Sequence, residues 1–273
     1  NGKPYAKGYI TQKDIMDGGV LEFDMASSPN KKRVFTGENR PYSLTDGKAV
    51  ADASEPWNSY DVGKVIFKNV SPDTRGSKIY AQIIPNPDAY IQKHARKVLE
   101  TLYFSPEDSI PGIREIHYTL KDYKGVSAKD GAPPSISIVY STSWIEKSFG
   151  QRDTAKVDYE TRGVLYHELT HGFQLEPQGI GTYGTNKTFW AMIEGVADAV
   201  RCLNGCFKDE DRPKGGNYND GYRTTGFFFA WLTHNKDKDF LRKLNRSTLE
   251  VIPWSFEGGI QYALGKDQHV EDL

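Results

Sequence analysis

The sequence predicts an α+β domain, and three observations carry that expectation. Strand-like segments come first and helix-like segments follow, an order that indicates a sheet with a separate helical layer. The 273 residues, 37 % apolar and 26 % charged, suffice for one large domain, or one domain with a small appendage. Neither an internal repeat nor a low-complexity tract interrupts them. A net charge of −1 leaves no basic field for general attraction to nucleic acid or acidic membranes. No run reaches the roughly 18 apolar residues that a membrane-spanning helix needs.

Near the N-terminus, Gly18-Gly19 precedes Val20-Leu21-Glu22-Phe23-Asp24-Met25, whose alternation suits a half-buried strand. Ser27-Ser28-Pro29-Asn30 then breaks the pattern, and residues to about Asp61 are polar and punctuated by Pro and Gly. The expected organisation is an N-terminal β extension and linker over 1–61, the tail of a preceding domain, and a main domain over 62–273. Within the main domain, residues 64–67, 78–84, 113–120 and 135–140 read as strands, the last after the turn-forming Gly131-Ala132-Pro133-Pro134. Residues 88–104 read as a helix, with Pro87 at its start and Ile91, Ala95, Val98, Leu99 and Leu102 along one face. Residues 159–174, 189–203, 222–234 and 240–244 are the remaining helices. Cys202 and Cys206 flank Asn204-Gly205; a disulfide is hard to reach from a regular helix, so two buried free thiols are the expected state. The opening Asn1-Gly2-Lys3-Pro4, without an initiator Met, and the ending Glu271-Asp272-Leu273 suggest a processed or excised chain.

The chemistry concentrates in His167-Glu168-Leu169-Thr170-His171. Helical residues four apart share a face, so both imidazoles can reach one zinc ion, with Glu168 placed to take the proton of a metal-activated water. Two surface histidines on an amphipathic helix are the bland alternative, and a third ligand decides between them. A His six residues after His171 would mark one zinc class, but that position is Pro177. Glu194, 23 residues after His171, can supply a carboxylate from a second helix, and Asp198 lies one turn beyond it. Apolar Ile193, Val196, Ala197 and Val200 imply a buried helix, on which carboxylates need partners. Glu194 is therefore read as a zinc ligand and Asp198 as the acceptor fixing a ligand histidine's tautomer. Three protein ligands leave a position open, which is a catalytic pattern.

Val164-Leu165-Tyr166-His167-Glu168-Leu169-Thr170-His171, followed by Ile193-Glu194-Gly195-Val196-Ala197-Asp198, resembles the basic secretory protein family of plants and bacteria. The resemblance extends through Ile136-Ser137-Ile138 and Gly221-Tyr222-Arg223-Thr224-Thr225-Gly226, covering roughly residues 62–273. It implies a zincin-like, gluzincin-type metallopeptidase domain with roles at His167, Glu168, His171 and Glu194. It also draws attention to Tyr222, whose phenol could donate to the oxyanion of a tetrahedral intermediate. His234 is a weaker candidate, read as exposed or capping. This chain departs from the family in not being basic and in stopping before its usual short terminal helix. Residues 1–30 resemble instead the closing strands of bacterial α-mannosidases of glycoside hydrolase family ninety-two.

The expected reaction is peptide hydrolysis with Zn2+ as cofactor. The strand over 135–140 is expected at a sheet edge, pairing with an extended substrate; Tyr183, Phe189 and Trp190 could wall a side-chain pocket. The expected partner is a peptide or protein, glycoproteins included, and the chain is expected to act as a secreted, periplasmic or cell-surface monomer. The rivals are a zinc-containing module without catalysis and a carbohydrate-binding module of a larger secreted protein.

Overall fold

In the computed structural model, which describes residues 52–150 and 152–273 together with positions 10, 16, 18–20, 22 and 27, period-two alternation builds a four-stranded sheet. Its strands are β1 (Lys64–Asn69), β2 (Glu115–Lys121), β3 (Ser127–Ala132) and β4 (Ser135–Ser141), in the order β1-β2-β4-β3. β1, β2 and β4 run parallel, and β3 pairs antiparallel with β4. Ile116, Tyr118 and Leu120 of β2 stand opposite Ile136, Ile138 and Tyr140 of β4, and all six are buried. Such cross-strand pairs fix the register, because a one-residue slip would turn the whole apolar set to the other face. The chain divides into two compact units, Asn1–Val50 and Ala51–Leu273. Most of the strand expected over 20–25 and of the α-mannosidase-like stretch over 1–30 lies outside the described residues.

Eight α-helices complete the second unit among the described residues: α1 (Arg75–Ile83), α2 (Pro87–Leu102), α3 (Thr142–Phe149), α4 (Thr154–Phe173), α5 (Lys187–Leu203), α6 (Tyr222–Asn235), α7 (Phe240–Glu250) and α8 (Phe256–Leu264). Sheet plus helical layer is the expected α+β class. No helix among the described residues is long and apolar enough to cross a membrane. Cys206 is a buried free thiol as expected, but Cys202 is only half-buried.

Two strand expectations need correction. Residues 78–84 belong largely to α1, not to a strand. Thr74 caps that helix by accepting from the Ser77 N–H (3.3 Å), and Ile79, Tyr80 and Ile84 bury on one side of it. Burial of each large apolar side chain contributes about 1.5–3 kcal/mol. The entire β-preference scale spans only about 1 kcal/mol, so packing overrides the composition of Ile-Tyr-Ala-Gln-Ile-Ile. Nor is β4 an edge strand: it lies between β2 and β3. Residues 131–134 close a hairpin that folds 127–132 back onto β4, so β3 takes the edge instead. Its sequence, Ser-Ala-Lys-Asp-Gly-Ala, has none of the β-branched or aromatic residues that mark a strand.

α4 and α5 form the interior of the helical layer. Apolar or small residues surround each on several faces, as befits helices packed all round rather than on one stripe. α5 crosses α6 very closely. A Cβ on Gly195 would meet Thr225 Cγ2 at 2.3 Å, and one on Gly226 would meet Asp198 Cβ at 2.7 Å.

Candidate metal centre

α4 carries His167, Glu168 and His171 on its inner face, and α5 brings up Glu194 and Asp198. Val164, Leu165, Leu169 and Phe173 are buried and lock α4 into the core. The donor atoms of His167, His171 and Glu194 converge within 4.8 Å of one another. His167 Nε2 lies 3.1 Å from His171 Nε2, and Glu194 Oε2 lies 3.2 and 3.6 Å from those two nitrogens. Ligand atoms about 2.0–2.1 Å from a tetrahedral ion sit roughly 3.3–3.4 Å apart, so the triangle has the size of a zinc coordination face. The residues fit such a group in a second respect. Glu194 is 3 % exposed, and its Oε2 accepts no hydrogen bond among the described residues. A buried carboxylate oxygen without a donor needs a cation.

The histidines are held from behind. His167 Nδ1 donates to Asp198 Oδ1 (2.8 Å), leaving Nε2 as the lone pair aimed at the centre. Burial alone would lower the pKa of His167, but the neighbouring carboxylates of Asp198 and Glu194 overcome it and raise the value to about 10. For Glu194, burial pushes the other way, yet His167 and His171 hold its carboxyl well below the ordinary range. The pocket is thus arranged around positive charge, whether proton or metal.

Glu168 is 5 % exposed, and its Oε1 accepts from Ser127 Oγ of β3 (2.7 Å). Tyr183, expected to wall a pocket, donates its hydroxyl to Glu194 Oε1 (2.5 Å). Phe189 is buried in α5, and Trp190 packs edge-on to Tyr222 (5.5 Å between ring centroids). Tyr222 opens α6 with its ring 6.1 Å from that of His167 and 13° from parallel. Its backbone takes φ +42°, a left-handed conformation costing a non-glycine residue about 1–3 kcal/mol. Gly221 before it, at φ +73°, has no room for a Cβ, which would meet the Trp190 ring at 2.6 Å. Tyr183 and Tyr222 are about half exposed and form the mouth of the site. His234 lies exposed in the last turn of α6, as read from sequence.

Two contacts have no counterpart in the motif reading. Ser127 sits on a strand without strand-like composition. Gln174, three residues past His171, places its amide 2.9 Å from His171 Nδ1; one helical turn beyond the second motif histidine is the signal that could have found it. Residues 62–273 match the family model described as BSP, peptidase of plants and bacteria. No curated protein and no solved structure matches the chain.

Proposed function

The chain belongs to BSP, the peptidase family of plants and bacteria, and from that premise we propose that it hydrolyses peptide bonds with a zinc ion held by His167, His171 and Glu194. The observation that carries this reading is the triangle of two imidazole nitrogens and one orphaned carboxylate oxygen, 3.1–3.6 Å on its sides. Nitrogen and oxygen donors in this number suit zinc and leave a position for a reactant.

Bound there, zinc supplies Lewis acidity to a water and to the scissile carbonyl. The remaining work falls to side chains. Glu168, with Oε1 tied to Ser127, takes a proton from the attacking water and delivers it to the leaving amine nitrogen, so it ends the cycle unprotonated. Asp198 keeps the proton of His167 on Nδ1. Tyr222, held at the mouth in a strained backbone, donates its phenol proton in a hydrogen bond to the developing oxyanion. An extended substrate pairs with the outer edge of β3, which among the described residues engages only β4 within the sheet and begins at Ser127 beside the general base.

Stripping metal with a chelator tests the proposal. Hydrolysis of a mixed peptide library should stop and return with one equivalent of zinc. Undiminished cleavage by metal-free protein would refute it.

A further inference from the structure

We infer that Gln174 is a positioning residue for His171, its side-chain carbonyl accepting the Nδ1 proton that metal ligation through Nε2 requires. The inference rests on the zinc reading above and deepens it. A neutral imidazole that offers Nε2 to a cation must carry its proton on Nδ1, and a buried N–H needs an acceptor. For His167 that acceptor is the Asp198 carboxylate, 2.8 Å away. The polar side chain hydrogen-bonded to His171 Nδ1 is that of Gln174, at 2.9 Å.

The amide as placed turns its Nε2 toward Nδ1, while Oε1 is buried without a partner among the described residues. Amide nitrogen and oxygen are told apart by their partners, and a half-turn of the terminal torsion exchanges them. An Nδ1–H can donate only to the carbonyl oxygen, so ligation at Nε2 selects that orientation.

The backbone holds this side chain in reach. α4 ends at Phe173, and Gln174 turns extended (φ −71°, ψ 152°) while its N–H still bonds Thr170 O at 2.7 Å. On one side, Phe173 O accepts from the Tyr103 hydroxyl; on the other, the Leu175 N–H donates to Asn245 Oδ1 at 2.9 Å. Asn245 and Tyr103 are themselves buried, and Gln174 is only 6 % exposed. A polar side chain so enclosed, with its chain direction fixed on both flanks, has His171 as its partner and little freedom to leave it.

Zinc affinity, measured by competition with a chromophoric chelator, tests this without reference to turnover. Gln174→Leu removes the acceptor and should weaken zinc binding about 10–100-fold. Gln174→Glu restores an acceptor and should bind at least as tightly as wild type, a rescue that mere packing would not give. In zinc-loaded wild type, nitrogen-correlated NMR should show a protected His171 Nδ1 proton that exchanges faster in Gln174→Leu. Wild-type affinity in Gln174→Leu, or a Gln174→Glu variant as weak as Gln174→Leu, would overturn the role of Gln174 while leaving the zinc site standing. Failure of the wild-type protein to bind zinc would bring down the metal reading, and this inference with it.

Discussion

Replacing Glu168 with Gln separates chemistry from architecture more cleanly than any other single change. The amide keeps the size of the carboxyl and still accepts from Ser127 Oγ, now 2.7 Å from Glu168 Oε1. Hydrogen bonds to a charged group contribute about 1.5–3 kcal/mol and neutral ones about 0.5–1.5, so weakening this bond costs about 1 kcal/mol. Against that loss, the change removes one of three carboxylates gathered in a buried region, each 3–5 % exposed, and relieves their repulsion. Net stability should shift by no more than about 1 kcal/mol. Catalysis is affected on a different scale, because an amide cannot take a proton from water. Loss of a general base slows reactions about 10²–10⁴-fold, which is roughly 3–5 kcal/mol in the barrier. Cleavage of a fluorogenic peptide pool, read beside urea denaturation and zinc titration of both proteins, makes the comparison. Glu168→Gln should bind zinc and unfold like wild type while losing at least a hundredfold in kcat/KM. A variant that binds zinc and cleaves within threefold of wild type would show that Glu168 is not the base.

Four further outcomes follow from the geometry. Asp198→Asn weakens the acceptor behind His167 and should lower zinc affinity about 10–100-fold in chelator competition. Tyr222→Phe should reduce kcat about 10²–10³-fold with KM and melting temperature little changed, if the phenol meets the oxyanion; an unaltered kcat would assign the tyrosine to packing. Gly226→Ala drives a Cβ to within 2.7 Å of Asp198 Cβ and should destabilise the protein by about 1–3 kcal/mol, read as a lower urea midpoint. His94, buried against Tyr166, has its pKa lowered to about 3 from an ordinary 6.5, burial first and Arg162 second. Between those values the unfolded chain holds a proton that the folded one refuses. Stability should therefore fall as pH drops from 6.5 toward 3, by up to about 1.4 kcal/mol per unit, and His94→Gln should flatten that slope.

How far the sequence announced this site depends on where each residue takes its orders. His167 and His171 follow from helical periodicity alone, since a spacing of four on one helix fixes their common face, and Glu168 from its place next to His167 in the motif. Glu194 was legible because acidic residues inside the apolar stretch from Phe189 to Val200 must find a partner, and the two helices bring that partner close. Ser127 was not legible, because β3 owes its conformation to the hairpin onto β4 and not to its own residues. α1 was misread for a related reason: Ile79, Tyr80 and Ile84 fit a strand by composition and a helix by packing. The helices α3 and α8 went unseen as well. Gly258 and Gly259 lower helix propensity in α8, yet they are needed where a Cβ would meet Val251 at 2.7 Å and Trp254 at 3.0 Å. Tyr183 was noticed as an aromatic wall, whereas its hydroxyl restrains the Glu194 carboxylate; only the fold of the loop between α4 and α5 discloses that contact.

The most direct test of the centre is an anomalous-difference map at the zinc edge, from crystals grown with one equivalent of the ion. It should show one strong peak about 2.0–2.2 Å from His167 Nε2, His171 Nε2 and a Glu194 carboxylate oxygen. A peak elsewhere on the protein, or Glu194 turned away from both imidazoles, would contradict the account.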